Sequence, residues 1–343
     1  MSMESRPETL PTHTPELFRE AVRRAVERLR AGDAVALPTE TVYGLAANAL
    51  DPRAVARIFE IKGRPANNPV IVHVASHEMA RRCAREWPEA AQRLAAAFWP
   101  GPLTIVAPKA LDIPPIVTAG GDTVGVRWPS HPLMQAVIRE CGFPLAAPSA
   151  NPSNALSPTS AGHVASALGP RLALIVDGGQ SQVGIESTVV DVTASPVRIL
   201  RPGIVHSESL EAVLGGVEFD AGESTGMDSA LRSPGQFPRH YAPRAKLLVL
   251  SWTDAADLGA QLEKRGLAAR GVCILAHSRV PMSGGFARVA VVPHDAEAFA
   301  RALYAELHAC DAAGAECIVV EAPPAGVEWE GIADRLRRAS TEA

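Results

Sequence analysis

The chain has 343 residues, an apolar fraction of 47% and a formal net charge of -4. That length favours two domains over one, and the apolar share supports sizeable cores. The slightly acidic balance argues against a protein that holds nucleic acid through a broad basic surface.

Five cysteines, Cys83, Cys141, Cys273, Cys310 and Cys317, form no C-x-x-C pair and no metal spacing with histidine, so they read as reduced residues. Met1 to Pro15 is polar and proline-rich rather than an apolar signal core, and no run approaches a membrane span. A soluble, cytoplasmic protein without membrane contact is the expectation. From Glu16 to Arg30, Leu17, Val22, Val26 and Leu29 recur at helical spacing until Gly32 stops the pattern. Ala34 to Leu37 reads as a buried strand whose ladder Pro38 ends. Thr39, Glu40, Thr41 and Tyr43 therefore fall where a sheet's carboxyl edge usually meets its ligand.

Asp51-Pro52 opens a helix that carries Val55, Ile58 and Phe59 inward and ends near Gly63. Lys62 and Arg64 flank that glycine. They read either as solvated cations at a helix C-terminus, favoured by the dipole, or as two charges turned toward one anionic ligand. Pro69 to Val74 is an expected strand with His73 near its end, followed by helices from His77 to Trp87 and Glu89 to Phe98. His73 alone suits a satisfied core residue, whereas Asn67-Asn68-Pro69 upstream favours a ligand contact.

Trp99-Pro-Gly-Pro102 is a rigid turn before a strand from Leu103 to Ala107. Thr123 to Trp128 alternates as another strand, with Thr123, Gly125 and Arg127 on one side, so Arg127 faces water or a pocket. Pro144 to Ser153 reads as a buried strand running into a Ser-x-Asn loop, and Ser157-Pro158-Thr159 leads to a helix start. Strands at Leu172 to Val176, Ser187 to Val192 and Val197 to Leu200 complete this half. Glu218 to Pro243 is rich in Gly, Ser and Pro, a linker composition, yet it holds Arg239, His240 and Tyr241 together. Beyond Lys246, strands and helices alternate (Leu247–Leu250, Ala255–Lys264, Val272–Ala276, Val289–Val292, Glu297–Asp311, Cys317–Glu321), which gives a small α/β domain with a largely parallel sheet.

Neither standard nucleotide fingerprint, nor a G-x-S-x-G elbow, nor a metal-ligand cluster occurs in the chain. What remains is a set of Arg, Lys, His, Ser, Thr and Tyr at strand ends. Such a set suits catalysis by positioning and charge neutralisation, as in phosphoryl or nucleotidyl transfer.

Pro38-Thr-Glu-Thr-Val-Tyr-Gly44, Lys62-Gly-Arg-Pro65, Trp99-Pro-Gly-Pro-Leu-Thr104, Gly125-Val-Arg127, Ala147-Pro-Ser-Ala-Asn151, Glu186-Ser-Thr-Val-Val-Asp191 and Arg201-Pro-Gly203 resemble, in order, the motifs of YrdC-type L-threonylcarbamoyladenylate synthases. The resemblance spans about residues 15 to 215, and the linker with the trailing α/β domain is similar to the long form of that family. Gln236-Phe237-Pro238 departs from the more polar or basic trio expected before Arg239-His240-Tyr241.

The resemblance implies formation of threonylcarbamoyl-AMP and pyrophosphate from L-threonine, bicarbonate and ATP, for modification of tRNA. It implies an α/β fold with a twisted mixed sheet around a deep positive cavity over residues 1–217, a linker or lid over 218–245, and a small Rossmann-like α/β domain over 246–343. Carried over by motif, Thr41, His73, Arg127, Ala147 and Ser187 would hold threonine and the carbamate. Lys62, Arg64, Asn68, Thr123, Ser149, Ser157, Arg201 and Tyr241 would hold ATP, with Lys62 and Arg64 acting catalytically. Mg2+ is expected with the ATP phosphates, no protein side chain being identified for it, and transferase proteins of tRNA modification are the expected receivers, with tRNA itself an indirect partner. Two alternatives stay open: an RNA-binding module without chemistry, and an enzyme that transfers a carbamoyl group.

Overall fold

The structure, a computed structural model, describes residues 7–219, 240–282 and 284–341. Its helices begin where short polar side chains can take an orphan N–H. Thr14, Asp51, Ser76, Ser160, Asp254 and Asp295 each accept a main-chain N–H at a helix start, a contact worth about 1 kcal/mol. The first helix spans Pro15–Arg30 and buries Val22, Val26 and Leu29, three of the four apolar positions that its periodicity marked. Two compact units result: Met1–Ser153 with Ser157–Gln236, and Asn154–Leu156 with Phe237–Ala343.

The first unit is built on β1 (Glu8–Pro11), β2 (Val35–Leu37), β3 (Gly44–Asn48), β4 (Val72–His73), β5 (Leu103–Pro108), β6 (Thr123–Arg127), β7 (Leu145–Ala146), β8 (Leu174–Asp177), β9 (Thr188–Asp191), β10 (Val197–Arg201) and β11 (Val217–Phe219). They form one mixed sheet in the order β1-β8-β2-β3-β7-β4-β6-β5-β9-β10-β11. Alternate residues feed two cores. Val35, Leu37 and Ala46 join the helices Pro15–Arg30 and Pro132–Cys141 on one face, while Ala36, Leu45 and Ala47 join the helix Pro52–Lys62 on the other.

Several elements differ from the expectation, each for a visible reason. Glu8–Pro11 lies in the stretch read as a polar start, yet it is the edge strand beside β8, where proline is tolerated. Pro69 to Val74 yields only two ladder residues, and the strand expected from Pro144 likewise only two. The helix from His77 stops at Cys83 because Ala84 turns extended and bridges to Lys109. Helices at Pro132–Cys141, Ser207–Leu214 and Glu330–Ala339 were not anticipated, although Pro132 and left-handed Gly142 are the ordinary start and stop signals. β11 continues across the boundary expected at 217. Of the linker over 218–245, residues 220–239 lie outside the described residues, and with them Ser233, Gln236 and Arg239.

The second unit carries β12 (Lys246–Leu250), β13 (Val272–Ala276), β14 (Arg288–Val291) and β15 (Cys317–Glu321), all parallel, in the order β12-β15-β13-β14. Helices Ala255–Glu263 and Ala296–Ala312 fill the connections that a parallel sheet requires. Within this unit Ala242 donates its N–H to Asn154 and bridges to Ala155, which is how three residues from the middle of the chain come to belong to it. All five cysteines are free and buried.

Candidate functional site

Parallel pairing of β4 with β6 sets His73 directly beside Arg127. Arg127 is 4% exposed, and its guanidinium is held on three sides. Nε donates to Gly101 O at 3.3 Å and Nη1 to Thr41 Oγ1 at 2.9 Å, while Nη2 lies 2.7 Å from Glu40 Oε1, an ion contact off the hydrogen-bond axis. Thr41 in turn shares a 2.9 Å hydrogen bond with Thr39, whose hydroxyl donates to Val42 O. The polar turn after β2 is therefore wired internally and ends on an arginine. His73 is buried, and burial first, then the neighbouring Arg127 charge, push its pKa down to about 3. It stands neutral at physiological pH, and its Nδ1 has no hydrogen-bond partner.

The second cluster starts from Gly63, which ends the helix Pro52–Lys62 in a left-handed conformation (φ 61°) and lets the chain reverse between two cations. Lys62 is 3% and Arg64 9% exposed, so the reading of both as solvated helix-end charges is wrong. Lys62 Nζ donates to Ser149 O and Asn151 O, both at 2.5 Å. Burial, and then Arg64, hold its pKa well below the lysine range, with Glu186 opposing. Arg64 donates through Nε to Asn68 O at 3.0 Å and through Nη2 to Asn68 Oδ1 at 2.6 Å and Pro69 O at 2.5 Å. Carbonyl oxygens orient such cations without cancelling their charge. An anion brought here would meet these buried cations in a low dielectric.

A third group gathers at β9 and β10. Ser187 Oγ lies 2.8 Å from Thr104 Oγ1 and accepts from Arg201 Nη2 at 3.1 Å, while Arg201 also donates to Ser187 O. The turn after β10 needs its glycine, since a Cβ on Gly203 would sit 2.6 Å from Thr188 N. Ser157 is fully buried and donates to Glu186 Oε1. Ala147 follows β7 and takes its place through N–H donation to Ile71 O at 3.0 Å. Thr123, at the start of β6, lines a narrow cavity with Pro69, Ile71 and Thr104.

Of the residues singled out, Thr41, Lys62, Arg64, Asn68, His73, Thr123, Arg127, Ala147, Ser149, Ser157, Ser187 and Arg201 all belong to the first unit. Tyr241 does not. It is a residue of the second unit, buried at φ 62°, with the Arg335 guanidinium 5.3 Å from its ring centre and the Tyr304 ring tilted against it 6.3 Å away. Four polar partners escaped assignment from sequence: Glu40, Thr104, Asn151 and Glu186. Each stands inside a motif already singled out, and only its neighbour across the fold reveals what it does. Among the described residues no group of three or more His, Cys, Asp or Glu is placed to hold a metal ion, and no helix is long and apolar enough to cross a membrane.

What the arrangement can do is bind a carboxylate at Arg127 and a polyanion at Lys62, Arg64 and Arg201, with hydroxyls and a neutral imidazole between. Residues 27–203 match a family described as "Telomere recombination", and residues 205–341 match one described as "Threonylcarbamoyl-AMP synthase, C-terminal domain". The "Threonylcarbamoyl-AMP synthase" of Pyrococcus abyssi is 42% identical over 330 residues, covering 93% of this chain and 94% of the relative. That of Bacillus subtilis is 46% identical over 241 residues, 70% of this chain and 68% of its own. A solved structure described as "Crystal structure of P. abyssi Sua5 complexed with L-threonine" superimposes with a TM-score of 0.88 at 38% identity, covering 98% of each chain.

Proposed function

The chain belongs to the threonylcarbamoyl-AMP synthase family, in the form that carries the family's own C-terminal domain, and from that premise we propose that it makes threonylcarbamoyl-AMP and pyrophosphate from L-threonine, bicarbonate and ATP. The observation that supports the reading best is the burial, in one unit, of Arg127 beside a neutral His73 and of Lys62 and Arg64 at a loop rich in hydroxyls and carbonyls.

In this reading Arg127 takes the threonine carboxylate, because a guanidinium can bind both oxygens at once. His73, with a free Nδ1 and no charge, suits the threonine hydroxyl. Thr41, Ala147 and Ser187 complete the threonine and carbamate side. Lys62, Arg64, Asn68, Thr123, Ser149, Ser157 and Arg201 attend the nucleotide, where the cations offset the charge that develops as pyrophosphate leaves. Mg2+ would accompany ATP. Among the described residues no group of three or more His, Cys, Asp or Glu is placed to hold it. The threonylcarbamoyl group would pass to transferase proteins that modify an adenosine of tRNA, in the cytoplasm.

The test is pyrophosphate release from ATP by the full chain. Release that needs both L-threonine and bicarbonate supports the synthase. Binding of RNA without such release would replace it with a binding module, and carbamoyl transfer from carbamoyl phosphate would replace it with a transferase.

A further inference from the structure

Glu40 is the group in this site that the roles above leave unused. It is 6% exposed between Thr39 and Thr41, and neither carboxylate oxygen has a hydrogen-bond donor. A carboxylate presents about four acceptor positions, and burying it undonated is among the costlier arrangements a protein can hold. Its charge partner is Arg127, 2.7 Å away. The other titratable group that feels its charge is His131, from the start of the helix Pro132–Cys141, and burial holds that imidazole below the ordinary histidine range. His73, in register with Arg127, is neutral. A cationic donor is thus what the geometry around Glu40 wants.

Threonine is a zwitterion, and its two charges match this pair in sign and in order. If its carboxylate takes Arg127, as the reading above has it, the ion contact between Arg127 and Glu40 opens, and the α-ammonium supplies up to three N–H donors to the carboxylate released. Two charges enter and two are met, so the buried net charge is unchanged. We propose that Glu40 binds the α-ammonium of threonine and accepts its proton as the amine becomes a nucleophile. The proton passes from nitrogen to Glu40, the freed lone pair forms the C–N bond to bicarbonate carbon, and as a C–O bond breaks the departing hydroxyl takes a second proton from that nitrogen and leaves as water. The balance is one ammonium, one bicarbonate and one carboxylate giving one carbamate, one water and one carboxylic acid, with no redox change.

The inference rests on the synthase reading, and the experiment separates the two. Glu40→Gln keeps the size and removes the charge. In pyrophosphate release, kcat/KM for threonine should fall about 10²-fold at neutral pH, the scale expected when one partner of a buried charge pair is lost, with the KM for ATP unmoved. The loss should shrink as pH rises and more threonine carries a free amine. Inhibition by 2,3-dihydroxybutanoate, which keeps the carboxylate and hydroxyl but lacks the ammonium, should hold or strengthen. A loss equal at every pH, or an analogue weakened in step with threonine, would mean that Glu40 only steadies Arg127 and would overturn the proposal. Should that variant not fold, the wild-type chain still decides, since it must bind threonine at least about 10²-fold tighter than the analogue. If wild-type release does not need threonine and bicarbonate, the synthase reading fails. If it does, and Glu40→Gln keeps the preference for threonine, only the role of Glu40 fails.

Discussion

Both units bury arginines, and they do it differently. In the second, Asp334 meets buried Arg335 and Arg338, both at 2.9 Å, and exposed Arg337 at 2.8 Å, so an anion from the same helix meets the charge. In the first, Lys62, Arg64 and Arg201 reach main-chain carbonyls on loops and strand ends far away in sequence or beyond a turn. A local carboxylate neutralises; a carbonyl only aims. Arg127 of the first unit does meet a carboxylate, Glu40 at 2.7 Å, but one delivered from a distant turn, whereas Asp334 stands on the same helix as its arginines.

The largest effect expected on the side of arriving ligands is selectivity. A site that hydrogen-bonds the threonine hydroxyl should reject 2-aminobutyrate by a factor on the order of 10⁴, because its buried polar partners are left unpaired. Serine should lose less. Steady-state pyrophosphate release with each amino acid reads this directly, and equal turnover of threonine and 2-aminobutyrate would remove the hydroxyl from the reading.

On the structural side, Asp334→Ala strands its arginines without their anion. Stability should fall by about 3–5 kcal/mol, as when one member of a buried pair is removed, measured as a lower denaturant midpoint of the second unit's transition. A loss below about 1 kcal/mol, the scale of an exposed ion pair, would collapse the distinction between the two units.

Arg64→Ala is the counterpart in the first unit. Pyrophosphate release should drop by about 10² or more, equivalent to roughly 3 kcal/mol for one electrostatic donor, in a protein that still folds. A near-normal rate in the folded variant would remove Arg64 from the chemistry.

The smallest effect belongs to His73. Its folded pKa of about 3 lies below the unfolded value near 6.5. Between those values the unfolded chain binds a proton that the native state refuses. Native stability should therefore fall as pH drops through 6.5 toward 3, by up to about 1.4 kcal/mol per pH unit, and be indifferent to His73 above 6.5. His73→Asn should flatten that limb in urea titrations at pH 7.5, 6 and 5. An unchanged slope would mean that the imidazole gains its proton in the native state as readily as in the unfolded one.

Much of this was legible along the chain. The helix Pro52–Lys62 was readable from Asp51-Pro52 and Gly63, because capping and left-handed glycine are local chemistry. All four strands of the second unit were readable too: β13 and β15 are buried throughout and read as continuous apolar runs, and β12 and the edge strand β14 are short valine- or leucine-rich stretches. The two shortest strands were legible in place but not in length: β4 and β7 are two residues long, because their pairing partners, not their composition, set where the ladder ends. The edge strand β1 was not legible, since it lies in the stretch read as a polar, proline-rich start and only pairing with β8 makes it a strand.

The sequence by itself determined which residue types stand at which turns, hence the ordered motifs and a site made of cations, hydroxyls and one imidazole. Only the tertiary structure decided which of those side chains are buried and what each one faces. Lys62 and Arg64 read equally well as solvated charges until the Ser149–Asn151 loop closed on one and Asn68 and Pro69 on the other. His73 and Arg127 are 54 residues apart, neighbours solely through the β4–β6 register. Glu40 and Arg127 meet for the same reason, as β6 delivers the guanidinium to the turn after β2. Caps and periodicity act over three or four residues, whereas burial and ion pairing depend on chain segments that only the folded sheet brings within a few ångströms.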